Sequence, residues 1–146
     1  KLVPLETRGG RDTFLALHPD FSRFVCSFGR QNAEDPTSPV VELGWGAEWF
    51  TNARYTGPTT FPHPPEWQAY VGHYCDMGPR IRSLRIVIRK GRLLMDGVTP
   101  LRAQGDVFVA DSSEPTAEWL RFGERVNGCC MWLQASGRTN WRVTVP

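Results

Sequence analysis

Residues 80–97 read RIRSLRIVIRKGRLLMDG, and their pattern decides the fold class. Leu84, Ile86 and Ile88 share one parity, and Arg85, Val87 and Arg89 share the other, which is the period of two expected of a strand with one apolar face. Lys90-Gly91 interrupts the run and Leu93-Leu94-Met95 resumes it, so the chain turns back where glycine supplies the positive φ of a tight hairpin. The apolar face, with Leu84, Ile86, Ile88 and Leu94 expected in the core, needs other strands to close over it. The rest of the chain supplies them: Phe24–Phe28, Val40–Leu43, Val107–Ala110, Trp119–Phe122, Cys129–Leu133 and Thr139–Val145 are short apolar runs. They are separated by turn signals at Gly105-Asp106, Asn127-Gly128 and Ser136-Gly137. About ten strands in hairpin succession predict an all-β fold, an antiparallel meander closed or nearly closed into a barrel. A single domain over 1–146 is the default for a chain of 146 residues.

Residues 55–65, YTGPTTFPHPP, lack periodicity and form the one internal boundary of note. They divide the chain into 1–55 and 64–146, joined by a Pro-rich linker over 56–63. After it, Pro64-Pro65-Glu66 precedes Trp67, Tyr70 and Val71 on one helical side, with Gly72 behind. This predicts one short helix that plugs a barrel end. An internal echo relates the two parts: Phe14-Leu15-Ala16 and Phe28-Gly29 match Phe108-Val109-Ala110 and Phe122-Gly123 at one offset, and Val3-Pro4-Leu5 matches Thr99-Pro100-Leu101 less closely. The start at Lys1, without methionine, fits an excised or processed piece of a longer protein.

The net charge of +2 does not by itself call for a polyanionic partner. Its distribution is uneven, because Arg80, Arg82, Arg85, Arg89, Lys90 and Arg92 stand together without an acid. These arginines are the best argument for weak polyanion binding, although their two parities divide the patch. Nucleic acid is not the expected partner. No apolar stretch is long enough for a membrane-spanning helix, so a soluble protein is expected, in the cytoplasm or exported with a parent. Cys26, Cys75, Cys129 and Cys130 have no metal-ligand spacing, and no metal or cofactor is expected. His18 with Asp20, and His73 with Cys75 and Asp76, are the nearest approaches to a metal or acid–base cluster. No GxSxG or SxxK sequence occurs and no catalytic residue is assigned, so an enzyme is not expected.

The remaining candidates are aromatic and basic: Trp45, Trp49, Tyr55, Trp67, Tyr70, Arg82, Arg85 and Arg89 as ligand- or partner-binding residues. Two binding functions compete. A docking module has a filled interior and an aromatic contact surface; a carrier of a small apolar or acidic ligand has an open cavity.

Pro65-Glu66-Trp67-Gln68-Ala69-Tyr70-Val71-Gly72-His73-Tyr74, followed by Arg89-Lys90-Gly91-Arg92-Leu93 and Phe108, resembles the lipocalin-like β-barrel region found after the catalytic domain of serine β-lactamase-like and D-alanyl-D-alanine carboxypeptidase-like hydrolases. The resemblance runs from Pro64 to the C-terminus, and more loosely through His18–Phe21 and Arg54–Pro58. It implies a lipocalin-like barrel acting as a non-catalytic accessory or protein-docking module of a serine hydrolase-like parent. The catalytic serine and lysine of such proteins lie in a separate domain and have no counterpart here. The alternative within the same fold is a calycin-like carrier.

Overall fold

A computed structural model describes residues 2–4, 11–16, 25–76, 78, 83–111 and 119–143. The turn expected at Gly9-Gly10-Arg11-Asp12 lies outside them at 9–10 and is strand at Arg11 and Asp12, which pair with Gly29 and Phe28; the bend expected at 18–21, with His18, and Arg80 and Arg82 also lie outside them. The described residues form two compact units, 1–61 with 96–98, and 62–95 with 99–146. The change from one to the other at Phe61/Pro62 falls inside the proline-rich stretch.

In the first unit β1 (Leu2–Pro4), β2 (Arg11–Ala16), β3 (Val25–Arg30), β4 (Val40–Trp45) and β5 (Glu48–Thr51) form one antiparallel sheet in chain order. The polar loop between β3 and β4 is held by local bonds. The backbone N–H of Thr37 donates to Asp35 Oδ1 at 2.8 Å, and that of Asn32 donates to the buried Ser38 hydroxyl at 2.8 Å. Such Asx- and Ser-type turns satisfy backbone groups that no ladder reaches.

The second unit opens with a 3-10 helix, Pro65–Ala69. It continues through β6 (Gly72–Cys75), β7 (Ser83–Arg89), β8 (Arg92–Met95), β9 (Thr99–Gln104), β10 (Val107–Ala110), β11 (Trp119–Val126), β12 (Cys129–Ala135) and β13 (Arg138–Val143). Each strand pairs with the next, and β13 pairs with β6, so the eight strands close into an up-and-down barrel with no sheet edge. The expected closed meander is present, but the barrel takes its strands from the second unit alone, and the first five strands make a sheet of their own.

The hairpins are short because their turn residues accept the left-handed region. Lys90 and Gly91 have φ of 53° and 68°, and Asn127 and Gly128 have 50° and 78°. This matches the two-residue turns whose twist suits antiparallel strands. Across Lys90-Gly91 the register pairs Ile88 with Leu93 and Val87 with Leu94. Cross-strand partners share a face, so Leu93 points inward with Ile86 and Ile88. Leu94, expected in the core with them, is buried on the other face together with Val87. The reason is geometrical: a two-residue turn exchanges even for odd parity.

The barrel core consists of Tyr74, Ile86, Leu93, Leu101, Phe108, Leu120 and Leu133, with Leu84, Ile88, Met95, Phe122, Ala135, Trp67 and Tyr70 packed against it. Tyr74, Ile86, Leu93 and Leu133 have 0% exposure, so not even a water-sized space adjoins them. Burial of each such aliphatic side chain stabilises the fold by about 1.5–3 kcal/mol. Trp132 faces outward. It pairs with Gly123 and Trp141, while the inward position beside it belongs to Leu133.

Candidate functional site

The 3-10 helix covers the barrel end where the β7–β8, β9–β10 and β11–β12 turns lie. Pro65 occupies its first position, where a missing N–H costs nothing, and Trp67 N–H and Tyr70 N–H donate to Pro64 O and Trp67 O, each at 3.0 Å. Its aromatics enter the barrel mouth. Tyr70 stacks on Phe122 at 4.5 Å between centroids and meets Phe108 edge-on at 5.3 Å, while Trp67 approaches Phe108 at 6.4 Å. Offset and edge-to-face geometries are the favoured ones for such rings.

Arg142, on β13, fixes this helix to the wall. Its register partner is Tyr74, so both side chains point inward. Nε donates to Cys130 O at 2.6 Å, and Nη2 reaches Val71 O at 2.8 Å, Ala69 O at 3.0 Å and the Tyr74 hydroxyl at 3.0 Å. The guanidinium also lies 5.2 Å from the centroid of the Tyr74 ring. Gly72 leaves room for it, since a Cβ there would stand 2.5 Å from Nη1. The Tyr74 hydroxyl in turn donates to Tyr70 O at 2.8 Å. Burial pushes the Tyr74 phenol up to about 12, against the opposing pull of the Arg142 charge. This assembly is a cation held by three backbone carbonyls and one phenol, which suits it to holding a plug.

The sequence candidates are distributed over both units. In the first, the Trp49 indole N–H donates to Glu42 Oε2 at 2.8 Å, and the ring meets Tyr55 and Phe61 edge-on at 5.3 and 5.4 Å. The Tyr55 hydroxyl donates to Pro58 O at 3.0 Å. Trp45 stands apart from that cluster on the opposite face of the sheet and is 38% exposed. In the second unit, Trp67 and Tyr70 are the plug aromatics. Arg85 and Arg89 lie on the outer wall of β7: Arg85 pairs with His73 and is half-buried, and Arg89 pairs with Arg92 and is buried. Arg92 forms an ion pair with Asp111 at 3.2 Å. Arg82 lies outside the described residues. Within the first unit the structure brings Trp49 against Tyr55; within the second, Trp67 and Tyr70 both meet Phe108, and Arg85 and Arg89 share the outer face of β7.

On the same outer wall His73 Nε2 and Cys75 Sγ are 3.7 Å apart, and Asp76 is held by Arg138 at 3.2 Å. Among the described residues, no three His, Cys, Asp or Glu side chains converge to hold a metal. No described helix is long and apolar enough to cross a membrane.

The outer wall of β11–β13 carries a row that the sequence reasoning missed. Gly123, Trp132, Trp141 and Cys75 follow one another across neighbouring strands. The Trp132 indole lies directly over Gly123, where a Cβ would overlap its Cζ2, and Trp141 is 47% exposed. The available signal was the pairing of a mid-strand glycine with tryptophans two strands deep, a recurrent way of covering a bare backbone. No known family, curated protein or solved structure matches the chain.

Proposed function

We propose that the chain is a non-catalytic accessory module that docks onto a protein partner, in the first instance a serine hydrolase-like parent domain. The observation that carries the reading is the buried centre of the barrel: Tyr74, Ile86, Leu93 and Leu133 have no exposed surface and the plug aromatics lie over one end, which favours recognition by the outside. There the Trp132–Trp141 row offers apolar area beside two exposed arginines, Arg121, paired with Asp106 at 2.8 Å, and Arg125. Tryptophan and arginine on one surface are the types most enriched at energetic centres of protein interfaces. The described members of the arginine run lend less support to polyanion binding, because Arg89 is buried and Arg85 is half-buried.

Titration calorimetry against a hydrolase domain of the parent protein tests the reading. Saturable binding that Trp141→Arg weakens by about tenfold or more is expected, a loss of at least about 1.4 kcal/mol. Uptake of one fatty acid per chain, abolished by the interior substitution Ala135→Phe, would replace docking with the carrier function.

A further inference from the structure

The strand registers of the first unit repeat those of the barrel. Phe14 pairs with Cys26 and Leu15 with Val25; Phe108 pairs with Leu120 and Val109 with Trp119, each residue ninety-four positions later. At the next hairpin Phe28–Leu43, Gly29–Glu42 and Cys26–Trp45 correspond to Phe122–Leu133, Gly123–Trp132 and Leu120–Ala135. There the β4 residues are offset by ninety, because the β3–β4 connection is longer by four. The last hairpin continues in step: Leu43–Phe50 and Trp45–Glu48 correspond to Leu133–Asn140 and Ala135–Arg138, both around two-residue turns. At the other side Leu2–Ala16 corresponds to Leu101–Ala110. Thus β1–β5 stand for β9–β13. The register also revises the sequence echo, since Leu2, and not Leu5, takes the place of Leu101.

The equivalence says which face of the sheet is an inside. Phe14, Cys26, Phe28, Leu43, Trp45 and Phe50 share one face. Of their counterparts, Phe108, Leu120, Leu133 and Asn140 are buried in the barrel and Phe122 and Ala135 are half-buried. In the first unit the same face is incompletely covered: Trp45 is 38% and Phe50 49% exposed, and the other four are only half-buried. In the barrel, β13 pairs onward to β6 and β9 back to β8, so three strands bridge them. Their counterparts β5 and β1 are the two outermost strands of the sheet described for the first unit.

We infer that the first unit is the last five strands of a second up-and-down barrel, and that its apolar face and outer strands receive a three-stranded meander patterned like β6–β8. The first strand of that meander pairs with β5 and the third with β1. The barrel's own order places β6–β8 ahead of β9 and joins them by the short 96–98 turn, so the same order puts the occupant in the polypeptide leading into β1. Alternating apolar residues in that meander would cover Phe14, Phe28, Trp45 and Phe50 as Tyr74, Ile86 and Leu93 cover Phe108, Phe122 and Leu133. This inference concerns the first unit and stands independently of what the barrel docks against, so failure of either leaves the other in place.

The test uses the full chain with a copy of residues 62–100 fused ahead of Leu2, followed by amide hydrogen exchange. Expected is a gain of about tenfold or more in the protection of the β1 and β5 amides over the unfused chain. Phe50→Asp on the inner face should abolish the gain, and Thr51→Asp on the outer face should preserve it. Unchanged amides in a folded fusion, or a gain that survives Phe50→Asp, would overturn the inference. So would a dimer of the unfused chain in sedimentation that Phe50→Asp dissolves, because a second copy would then be the occupant. The coding sequence ahead of residue 1 gives an answer that does not depend on the fusion folding. It is expected to encode three period-two apolar segments, and any other content overturns the assignment.

Discussion

Arg142→Met removes the guanidinium that ties the plug to the barrel while keeping an apolar stem of similar length. Four acceptors lose a charged donor: Cys130 O, Val71 O, Ala69 O and the Tyr74 hydroxyl. The hydroxyl retains its bond to Tyr70 O, so the damage concentrates on three carbonyls. A hydrogen bond from a charged donor contributes about 1.5–3 kcal/mol in a buried setting, and the half-buried site lets water recover part of it. At about 1 kcal/mol per carbonyl the net loss is about 3 kcal/mol. With a slope of about 1.5 kcal/mol per molar urea, the unfolding midpoint of the barrel falls by about 2 M. Urea titrations followed by far-ultraviolet circular dichroism measure it, and hydrogen exchange at the Trp67 and Tyr70 amides locates it. Arg142→Lys, with a point charge unable to span the same acceptors, is expected to lose about half as much. A loss below about 1 kcal/mol for the methionine variant, with unchanged exchange at Trp67 and Tyr70, would refute the idea that this cation holds the plug.

Gly72→Ala pushes a methyl group against Arg142 Nη1, so it should cost about 1–2 kcal/mol in the parent protein and markedly less in the Arg142→Met background; equal costs would show the two sites to be uncoupled. Gly123→Ala must displace the Trp132 ring and is expected to cost about 1–3 kcal/mol and to red-shift tryptophan emission, whereas emission and urea midpoint that stay put would deny that contact. The Tyr74 phenol sits above its ordinary value of 10.0, at about 12. Between those values the folded chain holds more protons than the unfolded one, so stability from this group is fully present below pH 10 and declines as pH rises toward 12. Urea midpoints across that range should decline for this reason, and Tyr74→Phe should remove that part of the slope.

The hairpin framework was legible because its turns carry unambiguous chemistry. Lys90-Gly91, Gly105-Asp106, Asn127-Gly128 and Ser136-Gly137 all lie between paired strands. Alternation along β7 identified Ile86 and Ile88 as inward. The same alternation failed one turn later, at Leu94, where the parity changed. On β13, where residues 138–143 read RTNWRV, apolar alternation alone points to Trp141 and Val143 as the buried set. The register reverses this. Arg138, Asn140 and Arg142 share the inner parity, and Asn140 is buried with its side-chain amide donating to Leu133 O at 3.3 Å.

That inversion also explains why the candidate surface was missed. An inward arginine is unfavourable on propensity and polarity alone, and it becomes favourable only when backbone carbonyls from elsewhere in the chain satisfy it. Ala69 and Val71 lie seventy-three and seventy-one residues before Arg142, so no local window contains the compensation. Once Arg142 is committed inward to the plug, the pleat forces Trp141 outward, and Trp132 with it through their pairing. The outward-facing tryptophan row is thus a consequence of how the barrel end is closed. Trp141→Thr tests whether exposure there serves binding or merely tolerates an apolar side chain. Thr139, two residues away on the same outer wall, shows that threonine is compatible with this strand face, so the fold should keep its urea midpoint to within about 0.5 kcal/mol. Loss of partner affinity with the midpoint retained assigns the row to docking. A midpoint that collapses with the substitution would instead make the row part of the barrel's own stability, and would remove the surface on which the docking proposal rests.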